Sequence, residues 1–490
     1  MIFAAYKLDI VTALSAALAL RTIVSLYSYS GAGKPPMYGD YEAQRHWQEI
    51  TTNLPPKDWY RNTSDNDLLY WGLDYPPLTA YHSYLLGSIA RRYNASFVEL
   101  YKSRGIESNE HKNFMRLTVL FADIVLYLPG LLIASLAILK QQQVKKSLLL
   151  YLIPMAFYPG QILIDNGHFQ YNNISLGLCL LAIASIYKEK IYLGAFLYTS
   201  ALNYKQMELY HALPFFVYML RTCFDQKKFS TKAKTFILLA LTVSSTFIVL
   251  WLPWLQSLNS ISEVVGRLFP IGRGVFEDKV SNFWCAINVV YKVKDKLLNQ
   301  QMAILCFGLT AAFVLPINIH LFFNKRKETF ILSLVNTAMS FYLFSFQVHE
   351  KSILLVAAPA MLLFSRYPQE TFWFLEATVF SMFPLFIKDG LILPFFILLF
   401  IYHVVIKQFI LEHFNFLESR STILSAISSV SVFSMFITAF ISLIVPPPTK
   451  YPYIWPLLIS VYSFVHFILY FGFSLKHQFM NDGNNKLKSK

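Results

Sequence analysis

Charge is what this 490-residue chain has least of. Asp, Glu, Lys and Arg make up only 14% of it, against about 25% in soluble domains. The deficit runs along the whole chain and excludes a soluble globular enzyme. Alternating-polarity segments are lacking too, which excludes a β-barrel; the apolar runs are unbroken, as at 235–255 and 391–406. Cysteine is scarce: Cys179, Cys223, Cys285 and Cys306 form no CxxC pair, so neither a disulfide framework nor a cysteine zinc site is indicated. No small-x-small cleavage site follows the apolar stretch 10–24, which reads as an uncleaved first span. There is no internal repeat and no soluble domain at either end.

What is present is apolar helix. With ~20 residues as a full crossing, roughly fourteen segments qualify, several of them only as broken or re-entrant helices: 8–28, 114–139, 147–164, 174–187, 191–203, 211–222, 235–255, 302–323, 330–346, 352–364, 371–387, 391–410, 422–445 and 454–474. The expected fold is an all-α polytopic membrane protein. The net charge of +14 reflects basic cytosolic loops and not a nucleic-acid partner. Lys140, Lys145 and Lys146 form one cluster, Lys227, Lys228, Lys232 and Lys234 a second, and Lys325, Arg326 and Lys327 a third. Lys476, Lys486, Lys488 and Lys490 follow in the tail. An even span count with a cytosolic start puts all four on one side.

The opposite, lumenal side receives loops of another kind, rich in Trp, His, Asp and Glu. The first, about 85 residues long, exceeds any simple connection, and its aromatics and prolines predict amphipathic helices at the membrane interface. Two glycosylation sequons, at Asn62 and Asn94, suit that side. Lys486–Lys490 fits a dilysine retrieval address for the endoplasmic reticulum. The chain divides into residues 1–255, with the first lumenal loop (29–113) carrying candidate catalytic carboxylates, and a helical bundle 256–490, whose loops 256–300 and 347–351 supply phosphate contacts.

Six polar stretches carry the chemistry. In Tyr38-Gly39-Asp40-Tyr41-Glu42, Gly39 permits a tight turn and Asp40 stands where an N-cap would. Trp71-Gly72-Leu73-Asp74-Tyr75-Pro76-Pro77 joins aromatics to a stiffly held carboxylate, a surface suited to a sugar or to an interfacial anchor. Asp165–Asn172, with His168 and Gln170, and Asn203–His211, with Lys205 and Glu208, place ionisable groups against apolar helix, which favours a functional cavity. Arg267, Arg273, His349 and Lys351 suit a phosphate. Three tempting motifs fail. Gly31–Lys34 lacks the P-loop spacing, His349-Glu350 meets Ile353 where a zinc motif needs His, and Asp65-Asn66-Asp67 has no soluble nucleotide-binding domain around it. Residue chemistry alone does not separate Asp40 from Asp74 as a base.

Stretches 30–47, 70–83, 165–171, 203–214, 267–284 and 344–355 together resemble the dolichyl-phosphate-glucose-dependent α-1,3-glucosyltransferase family of the endoplasmic reticulum, in particular its first step in lipid-linked oligosaccharide assembly. The resemblance implies a GT-C type fold with about 14 transmembrane helices, and an inverting enzyme with no metal or cofactor. It implies a dolichyl phosphate glucose donor and a dolichyl-diphosphate-linked nine-mannose acceptor. It favours Asp40 as base, with Asp74 the runner-up or an orienting partner. Arg267, Arg273, His349, Lys351 and Lys205 become donor-phosphate candidates. Trp71, Tyr75, Glu42, Asp165, His168, Gln170 and Glu350 become sugar or acceptor candidates. The alternatives are the second α-1,3-glucosyltransferase of the same pathway and, in another class, a lipid or sugar transporter, against which the large first loop and the missing repeat argue.

Overall fold

The computed structural model describes residues 2–142, 148–269, 279–413 and 419–480. Arg273, Lys145, Lys146 and the tail lysines 486, 488 and 490 lie outside the described residues. Helices form the entire architecture, with no strand among the described residues. Seven stretches are long and apolar enough to cross a bilayer: Asn109–Lys140, Phe229–Trp254, Asn299–Phe323, Pro368–Lys388, Ile392–Phe409, Ala426–Ile444 and Ile454–Met480. The chain is a multi-pass membrane protein.

Of the other expected segments, 8–28 falls largely in the continuous helix Ile2–Ser25 and 330–346 in Lys327–Phe344; the rest are helical but short or interrupted. Segment 147–164 breaks into Leu149–Ala156, Pro159–Gln161 and a π-turn, Ile162–Phe169, because Pro159 cannot donate to the preceding turn and restarts the helix. Segment 352–364 is a nine-residue helix, Ile353–Met361. Helices Asn172–Tyr187, Ile191–Tyr204 and Ala212–Phe224 are likewise shorter than a full crossing. Broken helices are tolerated at membrane depth where they are buried in protein or line a cavity, and here their ends deliver polar turns to one place.

The first loop differs from expectation. Helix Asp40–Asn53 does not lie at an interface; every residue from Tyr41 to Thr51 is buried. Trp47, Trp59 and Tyr60 turn inward to pack with Leu73, Trp254, Val264 and Leu268, so the loop's aromatic content makes a core of its own, closed by the Leu258–Leu268 helix. Only Pro77–Tyr93 keeps an apolar outer face, with Tyr84, Leu85, Ile89 and Tyr93 exposed.

A buried polar network anchors the first helix, Ile2–Ser25, to the broken segment. Arg21 is 0% exposed. It donates to the carbonyls of Ala17 (3.0 Å) and Ala156 (2.8 Å) and to Gln161 Oε1 (2.7 Å), and lies 3.5 Å from Asp123. Gln161 in turn donates to Asp165 at 3.0 Å. Removing one member of a buried ion pair leaves the other without compensation. Arg21→Met is therefore expected to destabilise the protein by about 3–5 kcal/mol, read as a lowered unfolding midpoint in detergent. Adding Asp123→Asn should recover part of that loss; equal midpoints for wild type and the single variant would contradict the account.

Candidate active site

Asp40 is the first residue of its helix, and Gly39, extended at φ −150°, is the N-cap. No side chain caps that end, so the Asp40 carboxylate is turned to another use. Its backbone N–H donates to Ser30 Oγ at 3.2 Å. Gly39 makes the approach possible: a Cβ there would stand 2.5 Å from Ser30 Oγ and 2.7 Å from the Ser30 carbonyl carbon.

Three donors converge on Asp40 Oδ2: His168 Nε2 at 2.9 Å, Lys351 Nζ at 2.5 Å and the Gln170 side-chain amide. Among the described residues no hydrogen bond reaches Oδ1. His168 and Gln170 flank Phe169, whose φ of 87° is left-handed; that costly conformation for an aromatic residue turns both neighbours toward Asp40. Tyr38 (φ 58°) and Trp71 (φ 50°) carry the same strain at the rim. Gln170 is satisfied at both ends, since its Oε1 accepts from Tyr75 Oη at 3.4 Å. On its far side His168 Nδ1 meets Asp389 Oδ2 at 2.6 Å.

Burial would raise the Asp40 carboxyl, but the Lys351 ammonium and His168 outweigh it and hold the group well below the ordinary carboxylate range. For Lys351 burial favours the neutral form, and Asp40 outweighs it, raising its pKa. Lys205 is pushed down to about 8, first by burial and then by Lys351. Its Nζ donates to Asn172 Oδ1 at 2.5 Å and lies 5.0 Å from the Tyr75 ring centroid.

These groups line a single cavity of about 630 Å³, within the usual range for ligand sites. Its walls bring together Asp40, Asp74, Trp71, Tyr75, His168, Gln170, Lys205, Arg267, His349, Glu350 and Lys351, so five polar loops scattered over the sequence meet. On the aromatic side Trp47 donates to the Trp71 carbonyl at 2.9 Å, and its ring lies 5.0 Å from that of Tyr75. Gln206 donates to the Asp74 carbonyl at 2.9 Å. Arg267 donates to the carbonyls of Gly72 (2.7 Å) and Leu73 (3.2 Å), so it braces this wall. His349 is exposed at the rim.

Two candidates stand outside the cavity. Glu42 is 2% exposed and forms a bidentate pair with Arg45 at 2.6 and 2.8 Å, also accepting from Tyr70 at 2.8 Å. Asp165 is fully buried. It accepts the backbone N–H groups of Asn172 (3.2 Å) and Asn173 (2.7 Å), neutralising the start of the Asn172–Tyr187 helix. Both hold the scaffold rather than face a ligand. The cavity also includes Lys388, and beside it Asp389 buttresses His168. Sequence reasoning missed this pair; its one signal was a charged couple followed by glycine between two apolar runs. Among the described residues one cluster could hold a metal ion: ligand atoms of Cys179, Glu208 and His211, all buried, lie within 4.8 Å of one another. It is knit internally, with His211 Nδ1 2.8 Å from Glu208 and Nε2 donating to the Leu355 carbonyl at 2.8 Å.

A carboxylate fixed by cations, facing an aromatic wall in a multi-pass helical bundle, is the equipment of a membrane-embedded transferase acting on sugars. The comparison with known families agrees: the model of the ALG6, ALG8 glycosyltransferase family matches residues 17–473, and the chain belongs to that family. A Drosophila melanogaster protein named "Probable dolichyl pyrophosphate Man9GlcNAc2 alpha-1,3-glucosyltransferase" is 52% identical over 467 residues, covering 94% of this chain and 96% of the relative. The Gallus gallus protein of that name, without the qualifier, is 44% identical over 493 residues, 96% and 97% of the two chains. A similarly named Arabidopsis thaliana protein is 39% identical over 465 residues, covering 93% and 86%.

The Gly39 contact yields a direct expectation. Gly39→Ala must push the Ser30 loop away and displace Asp40, and an error near 1 Å at a reacting group costs up to about a hundredfold. Turnover per folded molecule should fall by at least about tenfold, beside a lowered unfolding midpoint in detergent; wild-type turnover would show that this approach does not set the carboxylate's position.

Proposed function

We propose that this enzyme transfers the first glucose from dolichyl phosphate β-D-glucose to the nine-mannose dolichyl-diphosphate oligosaccharide, forming an α-1,3 bond with inversion, in N-glycan precursor assembly. The reaction takes place at the lumenal face of the endoplasmic reticulum membrane, in a GT-C type fold of about 14 spans. The observation that carries this reading is the arrangement at Asp40, a residue of the cavity wall: one carboxylate oxygen is bound by three donors, and no hydrogen bond reaches the other among the described residues. The names of relatives up to 52% identical support the first glucose-transfer step over the second.

Inversion needs in-line attack by the acceptor hydroxyl on the face opposite the phosphate, with a base to take its proton as positive charge grows at the anomeric carbon. Asp40 Oδ1 is that base. The leaving group is a phosphate monoester, which departs without protonation and gains negative charge as it goes. Lys351, His349 and Lys205 surround that charge. Arg267, committed to the Gly72 and Leu73 carbonyls, serves chiefly as a brace. Trp71 and Tyr75 offer apolar ring faces for the acceptor sugar, with Asp74 and Glu350 at their edges.

The low proton affinity of Asp40 has a use in this scheme. Before the donor arrives, Lys351 is its counter-ion. A donor phosphate competes for the same ammonium, weakens its hold on Asp40 and makes the carboxylate a better base once the sugar is in place. The base is thereby activated by its own substrate.

The test uses purified protein in detergent with both lipid substrates and no gradient. The oligosaccharide should gain one hexose in mass. Asp40→Asn should lower transfer by about 10²–10⁴-fold with normal expression and an unchanged unfolding midpoint. Near-wild-type transfer by that variant would remove Asp40 as base, and no mass gain by the wild type would reject the transferase reading.

A further inference from the structure

Of the three donors on Asp40, one is itself held from behind by a second carboxylate. His168 has a carboxylate oxygen at each ring nitrogen: Asp40 Oδ2 at 2.9 Å from Nε2 and Asp389 Oδ2 at 2.6 Å from Nδ1. An ionised carboxylate only accepts hydrogen bonds, and a neutral imidazole has only one N–H to give. With both carboxylates ionised, both contacts are satisfied only by the imidazolium. A neutral ring would set a lone pair against one carboxylate. His168 and the Asp389 side chain are 2% and 4% exposed, so water does not enter; Lys351 Nζ, 3.1 Å away, can donate to a bare Nε2, but that nitrogen's lone pair then still stands against Asp40 Oδ2.

The charged groups around the ring come from four elements. Asp40 arrives from the start of the Asp40–Asn53 helix, and Lys351, 3.1 Å from Nε2, from the Glu350–Ser352 turn. Asp389 comes from the break between the Pro368–Lys388 and Ile392–Phe409 stretches. Arg116 of the Asn109–Ala122 helix donates to the Gly167 carbonyl at 2.8 Å, one residue before the ring. Burial and Lys351 favour the neutral ring; Asp40 and Asp389 outweigh them and raise its pKa.

We propose that Asp389 is a positioning residue of the transfer reaction: it keeps His168 doubly protonated, so that the ring grips Asp40 Oδ2 and leaves Oδ1 aimed at the acceptor hydroxyl. The inference rests on the reading of Asp40 as base. Asp389 touches no substrate; it acts through the imidazole, as a buried carboxylate sets ring orientation and protonation in other sites. In Asp389→Asn the amide oxygen still accepts from Nδ1–H, but the ring has lost one of its two counter-charges and Asp40 alone favours the second proton. At neutral pH the bare Nε2 then faces Asp40 and loosens it. Below the ring's lowered pKa the second proton returns and the grip is restored.

The experiment measures kcat and donor KM for wild type, Asp389→Asn, Asp389→Glu and Asp40→Asn between about pH 5.5 and 8.5. Expected is a fall in Asp389→Asn kcat of about ten- to a hundredfold at neutral and higher pH. Its donor KM should stay within about twofold, the deficit should close on acidification, and Asp389→Glu should recover most of the rate. A loss of the same size at every pH would mean Asp389 is merely structural and would overturn the proposal, as would a wild-type profile. Should Asp389→Asn fold poorly, shown by its unfolding midpoint, Asp389→Glu carries the decision: it keeps a carboxylate for Nδ1–H, so it should retain most of the rate and a wild-type pH profile, and a rate as low as that of Asp389→Asn at every pH in a well-folded Asp389→Glu overturns the idea. The two readings fail separately. Inactive Asp40→Asn with a pH-independent Asp389→Asn sinks only the role of Asp389, whereas active Asp40→Asn sinks the base and this inference with it.

Discussion

A carboxylate at the boundary of a membrane bundle is costly unless cations reach it, and at Asp40 those cations come from far along the chain. His168 is 128 residues away and Lys351 311 residues away. Neither can reach Asp40 unless the broken helices end where they do. The interruption at Pro159 lets the chain turn through Asp165–Gln170, and the short Ile353–Met361 helix starts immediately after Lys351. The irregularities of the bundle are thus consequences of one electrostatic demand. A set of full-length straight spans would leave these side chains in separate loops.

Much of this arrangement can be read from the residues. Composition and unbroken apolar runs establish the helical membrane protein, and polar clusters between those runs mark the loops that meet in the cavity. The carboxylate pattern around Tyr38–Glu42 points to the segment whose Asp40 lines the cavity. Local sequence could not say which way each acidic side chain turns. Glu42 and Asp165 sit in motifs as suggestive as that of Asp40, yet one pairs with Arg45 and the other receives a helix start. Burial and partner geometry decide between scaffold and site, and both depend on residues distant in sequence.

The first loop shows the same limit from another side. Its tryptophans and tyrosines have the composition of an interfacial belt, and the pattern does not reveal that Trp254 and Leu268 cover them. Asp389 was missed for a related reason. It is a lone acid in a three-residue break between apolar runs, and its importance comes only from the imidazole 221 residues away. Lone charges at such breaks merit attention in other polytopic chains, because a turn at the membrane boundary is a cheap place to hold a buried counter-charge.

Lys351 has a consequence for how the protein is made. The amino-terminal half emerges from synthesis first, carrying Asp40 and its histidine, but the ammonium that completes the cluster is encoded in the final third. Until that turn is threaded and docked, the nascent chain holds an incompletely neutralised acid in a partly built hollow. The cluster around Asp40 is therefore completed only with late assembly, however well the early helices have inserted.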